Sequence, residues 1–536
     1  KTIFLKSQQL LRINFIKSVL FTSTVLLGVS CTNLDEEVLD GVVISNTGGS
    51  TVNSASILVS AYEGLRGFQD QDKMFALDEM STDALVGPTR GGDWDDNAKW
   101  RQLHTHTWAP DNIEIRNAWN SLLSQVHNCN LVIDNGTPAQ VAQARFLRAF
   151  YYYNVIDLFG QVPYREKGSS LEADPKVWTR EEATNFVITE LEAIIGSLPA
   201  RVSGDASIAN VDAAHFLLAK LYLNKGVFTA ADPAGPYTFA PADMTKVVTH
   251  VDAINSSLAP DYWDNFKPEN NTSPEILFSS KNTRGGQGGG IQSRWRMSMH
   301  YQQTPDGWNG FATVAEYYNK FNPNDRRIKN ADQYIIDDFG NNVGFQVGQM
   351  KNGKNRDENG KDKDANGVPY TNIPAGTVNL KDRKGNPLVY TAALTLITGG
   401  ATLETAGIRS QKYIPDAANL NTPENDYALM RYSDALLMKA EAILRGGTGT
   451  NDVAKLTQII SRTTVAGTVP TTLDAIYTER GKELWYEGWR RNDMVRFGKF
   501  LEARELKPYV SDKRYILFPI PADALFNANL KQNPGY

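Results

Sequence analysis

Through the first half of the chain, apolar residues recur at three- and four-residue spacing near 54 to 67, 113 to 134, 138 to 159, 181 to 197 and 211 to 225. That is the period of a helix with one buried face. Breakers such as Asn135-Gly136, Gly160 and Gly226 stand at the ends of these runs, where helices stop. The pattern predicts stacked antiparallel helix pairs. The run from Ala144 to Phe159 is apolar around most of its girth, so it should be sandwiched between neighbours, with its four consecutive aromatics in the core. From about 258 to 424 the texture changes to Gly, Asn, Asp and Pro with short apolar pieces such as Ile276-Leu-Phe and Val389-Tyr390. This predicts a loop-rich subdomain with a few short strands. Helical period returns at Tyr427 to Leu444 and at Leu473 to Phe500, which should pack back on the first half.

Ala213-Ala-His-Phe-Leu-Leu-Ala-Lys-Leu-Tyr-Leu carries small residues where helices must approach closely and is similar to one helix of a tetratricopeptide repeat. The expected fold is therefore mainly α: tetratricopeptide-like helix pairs forming a scaffold, with an inserted loop-rich subdomain. Its expected parts are 1–30, a signal peptide; 31–257, the helical part; 258–424, the insert; and 425–536, a C-terminal part packing on the scaffold.

Composition narrows the function. Hydrophobic residues make up 41% and charged residues 21%, which suits a globular chain with a substantial core. A formal net charge of -5, with no Lys/Arg-rich run, speaks against nucleic acid as a partner. At the N-terminal end, Lys1, Lys6, Arg12 and Lys17 form a basic leader, Ser18 to Val29 a short apolar run, and Ser30 a small residue before Cys31. The run is too short to span a bilayer. Cys31 is read as the lipidated first residue of a mature bacterial lipoprotein, with membrane attachment through that lipid. The other cysteine, Cys129, is read as a small core residue.

Three long stretches, Arg145-Phe-Leu-Arg-Ala-Phe-Tyr-Tyr-Tyr with Leu158-Phe-Gly-Gln-Val-Pro, Arg431 to Ala442, and Glu479 to Gly498, resemble the SusD/RagB family in the family's order. The C-terminal Phe518-Pro-Ile-Pro and Asn529 to Tyr536 match that family's end. The resemblance implies a surface-exposed outer-membrane lipoprotein that binds glycans or other nutrients and caps a SusC-like TonB-dependent transporter. Asp35-Glu36-Glu37 behind Cys31 also resemble the signal that sends Bacteroidetes lipoproteins to the cell surface.

Sugars present apolar C–H faces to aromatic rings and hydroxyls to a polar rim. Two stretches offer that mixture. The first places Arg90, Asp93, Trp94, Asn97 and Trp100 in an expected exposed loop; the second holds Trp295, Tyr301, Trp308 and Asn309. In starch-binding members of the family, a Trp with an Asn three residues on meets aromatics from the later region. Trp94 with Asn97, and Trp308 with Tyr301, resemble that arrangement.

Two other functions remain open at this point. A surface glycoside hydrolase would use a carboxylate pair, for which Glu483 and Glu487 are candidates one helical turn apart. Charges this dense beside core residues are better explained by an inter-helix ion network, and no catalytic residue is expected. A peptide-binding RagB-like member is the other alternative. No cofactor is expected. Asp362, Asp364 and Asn366 have the spacing of the first half of a calcium loop, but Ile373 stands where a bidentate Glu belongs; a solvated Asp/Asn-rich loop is the preferred reading, and the overlapping Asp357 and Asn359 keep calcium open as the alternative. His104 and His106 have no visible third ligand, so zinc is not expected.

Overall fold

Caps written into the sequence start the long helices. Helix α1 (Ser54–Glu63) and the short α2 (Lys99–Thr105) precede α3 (Ile113–Asn135), where the Asn112 side chain accepts from the Glu114 amide. Only Gly136 and Thr137 separate α3 from α4 (Pro138–Leu158), so the two must run antiparallel. Thr137 and Gln140 form a capping box with Pro138 in the first turn, and Thr179 with Glu182 repeats the box at α5 (Arg180–Ile194). Asn210 caps α6 (Val211–Phe228), and Pro241 opens α7 (Pro241–Asp252). Each of α3 to α7 packs on the next.

A computed structural model gives this architecture for residues 42–44, 50–166, 173–286, 289–328, 337–463 and 467–536. Cys31 and the leader before it lie outside the described residues. The N-terminal unit contains an antiparallel hairpin of Val42–Ile44 with Ser50–Val52, and Ile57 to Tyr536 form the second unit.

Helix α8 (Tyr432–Leu444) takes the next place in the row against α7, and α10 (Leu473–Glu483) packs on α8, with α9 (Val453–Ser461) and α11 (Arg490–Arg496) beside them. The scaffold is thus tetratricopeptide-like, completed by C-terminal helices. As expected, α4 is enclosed: Tyr151, Tyr152 and Tyr153 are buried, and the Tyr151 hydroxyl donates to the Ala61 carbonyl at 2.7 Å. Cys129 is fully buried, and burial pushes its thiol well above the ordinary range.

Two helical expectations need correction. Residues 427–431 are a strand, not the first turn of a helix: β4 (Tyr427–Arg431) pairs antiparallel with β2 (Ile276–Ser280), both wholly buried. The chain leaves the scaffold after β2 and re-enters it through β4. The second correction is that Leu473 to Phe500 is not continuous. Helix α10 ends at Glu483, and the chain turns through Tyr486 (φ 59°) and Gly488 (φ 79°) before α11 begins. The region between β2 and β4 is built from short ladders, including Gly344–Gln346 with Arg409–Gln411 and Gly348–Gln349 with Val389–Tyr390. In it β3 (Ile397–Thr398) lies parallel to β1 (Thr89–Arg90), which ties the insert to the first candidate stretch.

Four turns of the insert share one chemistry. Asp337, Asp357, Asp364 and Asp382 each accept, through one carboxylate oxygen, the amides two and four residues on, and Gly340, Gly360, Gly367 and Gly385 take positive φ three residues after each. The short polar side chain replaces a backbone acceptor, and only glycine adopts that φ freely.

Candidate functional site

The first tryptophan stretch starts from β1. Arg90 and Asp93 exchange backbone hydrogen bonds at 2.8 and 3.0 Å, so Gly91 and Gly92 form a tight turn that presents Asp93 and Trp94. Beyond the turn Trp94, Asp96, Asn97 and Ala98 have φ of 61°, 42°, 55° and 63°. Residues other than glycine pay for that conformation, so four together mark a loop held in shape by its surroundings.

Gly310 from the second stretch lies beneath Trp94; a Cβ there would stand 2.4 Å from the indole Cε2. The absent side chain lets the indole lie flat on the backbone. Its Nε1 donates to the Trp308 carbonyl at 3.1 Å, and its ring sits 4.8 Å from Phe311 and 6.5 Å from Trp308. Trp94 and Trp308 are both half-buried: anchored, with part of each ring open. The chain from His300 to Asn309 folds back on itself, with Gly307 donating to the His300 carbonyl and Asn309 to that of Met299, so Tyr301 is carried at the same rim. Asp93 is exposed and within electrostatic reach of Tyr301, and Asn97 is exposed.

Four expected site residues do other work. Arg90 is 2% exposed, and its guanidinium donates to the carbonyls of Gly310, Leu403 and Ala406, clamping both stretches together from below. Trp100 is 3% exposed, because it opens α2 with its ring under Trp94 and its Nε1 held by Asp96 at 2.7 Å. Trp295 is fully buried in a short helical turn, and Asn309 is buried at φ 52°. None of these four side chains presents a contact surface.

The rim also contains groups that the sequence did not single out. Arg383, from the Asp382 turn, lies over the Tyr301 ring, its Cζ 4.4 Å from the centroid. Its Nε donates to Glu404 Oε1 at 2.5 Å and its amide to Glu404 Oε2 at 3.0 Å. Glu404 also faces His300 Nε2 at 2.9 Å, while His300 Nδ1 accepts the Gln302 amide. That partner leaves the imidazole proton on Nε2, so a neutral His300 donates to Glu404. Burial brings the His300 imidazole down to about 4 despite this carboxylate.

The carboxylates considered for hydrolysis are elsewhere and engaged. Arg431, at the end of β4, donates to Glu275, Glu483 and Glu487 at 2.6, 2.9 and 2.7 Å. Arg462 bridges Glu275 and Glu483, Arg327 binds Glu479 and Glu483, and Lys412 binds Glu487 at 2.8 Å. Glu483 and Glu487 are both buried, and Glu487 lies in the turn after α10. A second network joins Lys220 and Arg480 to Asp434, and Arg480 and Arg496 to Asp493. Buried charges are tolerated when paired in this way.

Three of the candidate metal ligands are likewise engaged. Asp364 holds its own turn, the His104 ring contacts the Glu505 carbonyl, and the His106 ring contacts the Ser81 carbonyl and Arg504. Among the described residues no group of three or more His, Cys, Asp or Glu is placed to hold a metal ion. The tryptophan rim is an open face; a cavity of about 350 Å³ lies apart from it, lined by Asp232, Lys513 and Arg514 among others.

Comparison with known proteins agrees with this architecture. Residues 255–512 match the model of the SusD family, and residues 40–223 match a model described as starch-binding associating with outer membrane. The chain is 26% identical to the starch-binding protein SusD of Bacteroides thetaiotaomicron, over 91% of this chain and 90% of that protein. Among solved structures, a SusD superfamily protein from Parabacteroides distasonis superposes with a TM-score of 0.66 at 18% identity, covering 90% of this chain and 98% of the other. Surface glycan-binding protein A from B. thetaiotaomicron, in complex with laminarihexaose, does so with a TM-score of 0.59 at 21% identity, covering 90% and 98%. At these identities the superpositions speak for the fold. Two family models in sequence order and a relative aligned along nearly the whole chain place this chain in the SusD family.

Proposed function

We propose that this chain is a non-catalytic glycan-binding lipoprotein of the outer-membrane surface, which captures an oligosaccharide and delivers it to a SusC-like TonB-dependent transporter. The observation that carries the reading is the half-buried pair Trp94 and Trp308, with Trp94 seated on the Gly310 backbone and the two bordered by Asp93, Asn97, Tyr301 and Arg383. Partly open indoles beside polar side chains suit the alternating apolar and hydroxylated faces of a sugar. The relatives' names point the same way, one being starch-binding and another solved with laminarihexaose. Cys31 would supply the anchor. A hydrolase gains no support from Glu483 and Glu487, whose oxygens are shared among Arg431, Arg462, Arg327 and Lys412.

The test is an affinity gel and calorimetry with neutral polysaccharides and their oligomers. The chain should deplete free ligand and leave its length unchanged. Shorter products that persist through repurification, or no retention on any glycan, would overturn the reading.

A further inference from the structure

Arg383 is the cation of the rim whose position is fixed while its donors remain open. Its Nε and its backbone amide hold the two oxygens of Glu404, which is itself buried. The flat of the guanidinium covers Tyr301. Among the described residues Nη1 and Nη2 take no protein acceptor, and the side chain is 48% exposed. Glu404 lies between Leu403 and Ala406, whose neighbouring carbonyls Arg90 binds while it also holds Gly310, the floor under Trp94. Arg383 is thus fastened to the frame that carries the tryptophans. Asp93, one residue before Trp94, is within electrostatic reach of both Arg383 and Tyr301.

We infer that Arg383 is a specificity-determining residue that donates Nη1 and Nη2 to adjacent hydroxyls on the edge of a saccharide, and that Tyr301 supports it instead of stacking on the ligand. This rests on the glycan-binding reading. A planar guanidinium held on two sides offers a fixed pair of parallel donors, which matches two neighbouring oxygens. Tyr301 has one ring face under that guanidinium, so the face is closed to a sugar. Arg90 and Arg409 also lie within electrostatic reach of Tyr301, so the carboxylates Glu404 and Asp93 are balanced and selection rests on the geometry of the two donors.

The experiment is calorimetry on the full chain with laminarihexaose and maltohexaose. Arg383→Met should weaken binding of the hexamer the native chain takes about tenfold or more; because buried Glu404 loses a cation as well, affinity is measured on the folded fraction at a temperature well below the variant's unfolding midpoint. Arg383→Lys should recover only part of the loss, because an ammonium lacks the planar pair of donors. Tyr301→Phe should bind like the native chain, since the supporting ring remains, and Tyr301→Ala should match Arg383→Met. Native-like binding by Arg383→Met, or a loss in Tyr301→Phe as large as in Tyr301→Ala, would each overturn the inference while leaving glycan binding in place. Binding of no glycan by the native chain would remove the functional reading and this inference together.

Discussion

Gly310 decides how much of Trp94 meets solvent. The indole lies across the backbone of that glycine, with Phe311 and Trp100 against its other sides. Gly310→Ala puts a methyl group where the ring now lies. The ring must lift or the backbone must move, at a cost of about 1–3 kcal/mol. We expect this variant to weaken glycan binding by lifting the indole, read as a loss of retention in an affinity gel together with a lower thermal midpoint. At this scale the sequence was legible only in part. That Trp94, Trp308 and Tyr301 share one rim could be read from their motifs. The inward direction of Arg90, Trp100, Trp295 and Asn309 could not, because glycine-rich spacing predicts where a chain turns and says nothing of where each side chain points. Arg383 was missed for a related reason: Asp382 and Gly385 announce a turn, but its meeting with Tyr301 is a tertiary contact.

At the scale of elements, the break between α10 and α11 does what a continuous helix could not. Glu483 ends α10 and Glu487 follows in a turn, so both converge on Arg431 at the end of β4. Apolar period runs on through Leu484, Trp485 and Trp489, which is why the sequence reads as one helix; the break shows only in the backbone at Tyr486 and Gly488. The long helices were legible almost to the residue, since caps at Asn112, Thr137 and Thr179 coincide with the start of apolar period. The strand nature of Tyr427–Arg431 was hidden because every residue in it is buried, so no alternation appears. Arg431→Met leaves Glu275, Glu483 and Glu487 with fewer cations. We expect it to cost about 3–5 kcal/mol, the usual penalty of uncompensated buried charge, measured by urea unfolding. Binding by the fraction that remains folded should be retained.

Over the whole molecule, several buried groups are tuned in opposite directions. Burial takes the imidazoles of His104, His250 and His300 down to about 3, 4 and 4. Burial instead raises the carboxyls of Glu79 and Asp426 to about 8 and 6. For a depressed histidine the unfolded chain binds the proton first, so its contribution is intact above the ordinary value near 6.5 and is lost as pH falls toward 4. A raised carboxyl works the other way: its contribution is full in acid and declines as pH rises through the folded value. His300→Gln isolates one histidine. On acidification from pH 7 to pH 4.5 the native chain should lose about 1–3 kcal/mol more stability than this variant, measured by denaturant titration at both pH values. An equal loss in both would show that His300 carries no such linkage. The β2–β4 ladder has its own consequence at this scale. Residues 281–426 leave and return through neighbouring strands of one buried pair. The entropy of closing an excursion rises only with the logarithm of its length, by about 0.6 kcal/mol per doubling. Turns can therefore be lengthened, deleted or exchanged between those strands at little thermodynamic cost, while the charged lock on Arg431 keeps the exit and entry fixed. The ladder acts as a socket, and the loop-rich insert plugged into it is free to diversify faster than the scaffold that carries it.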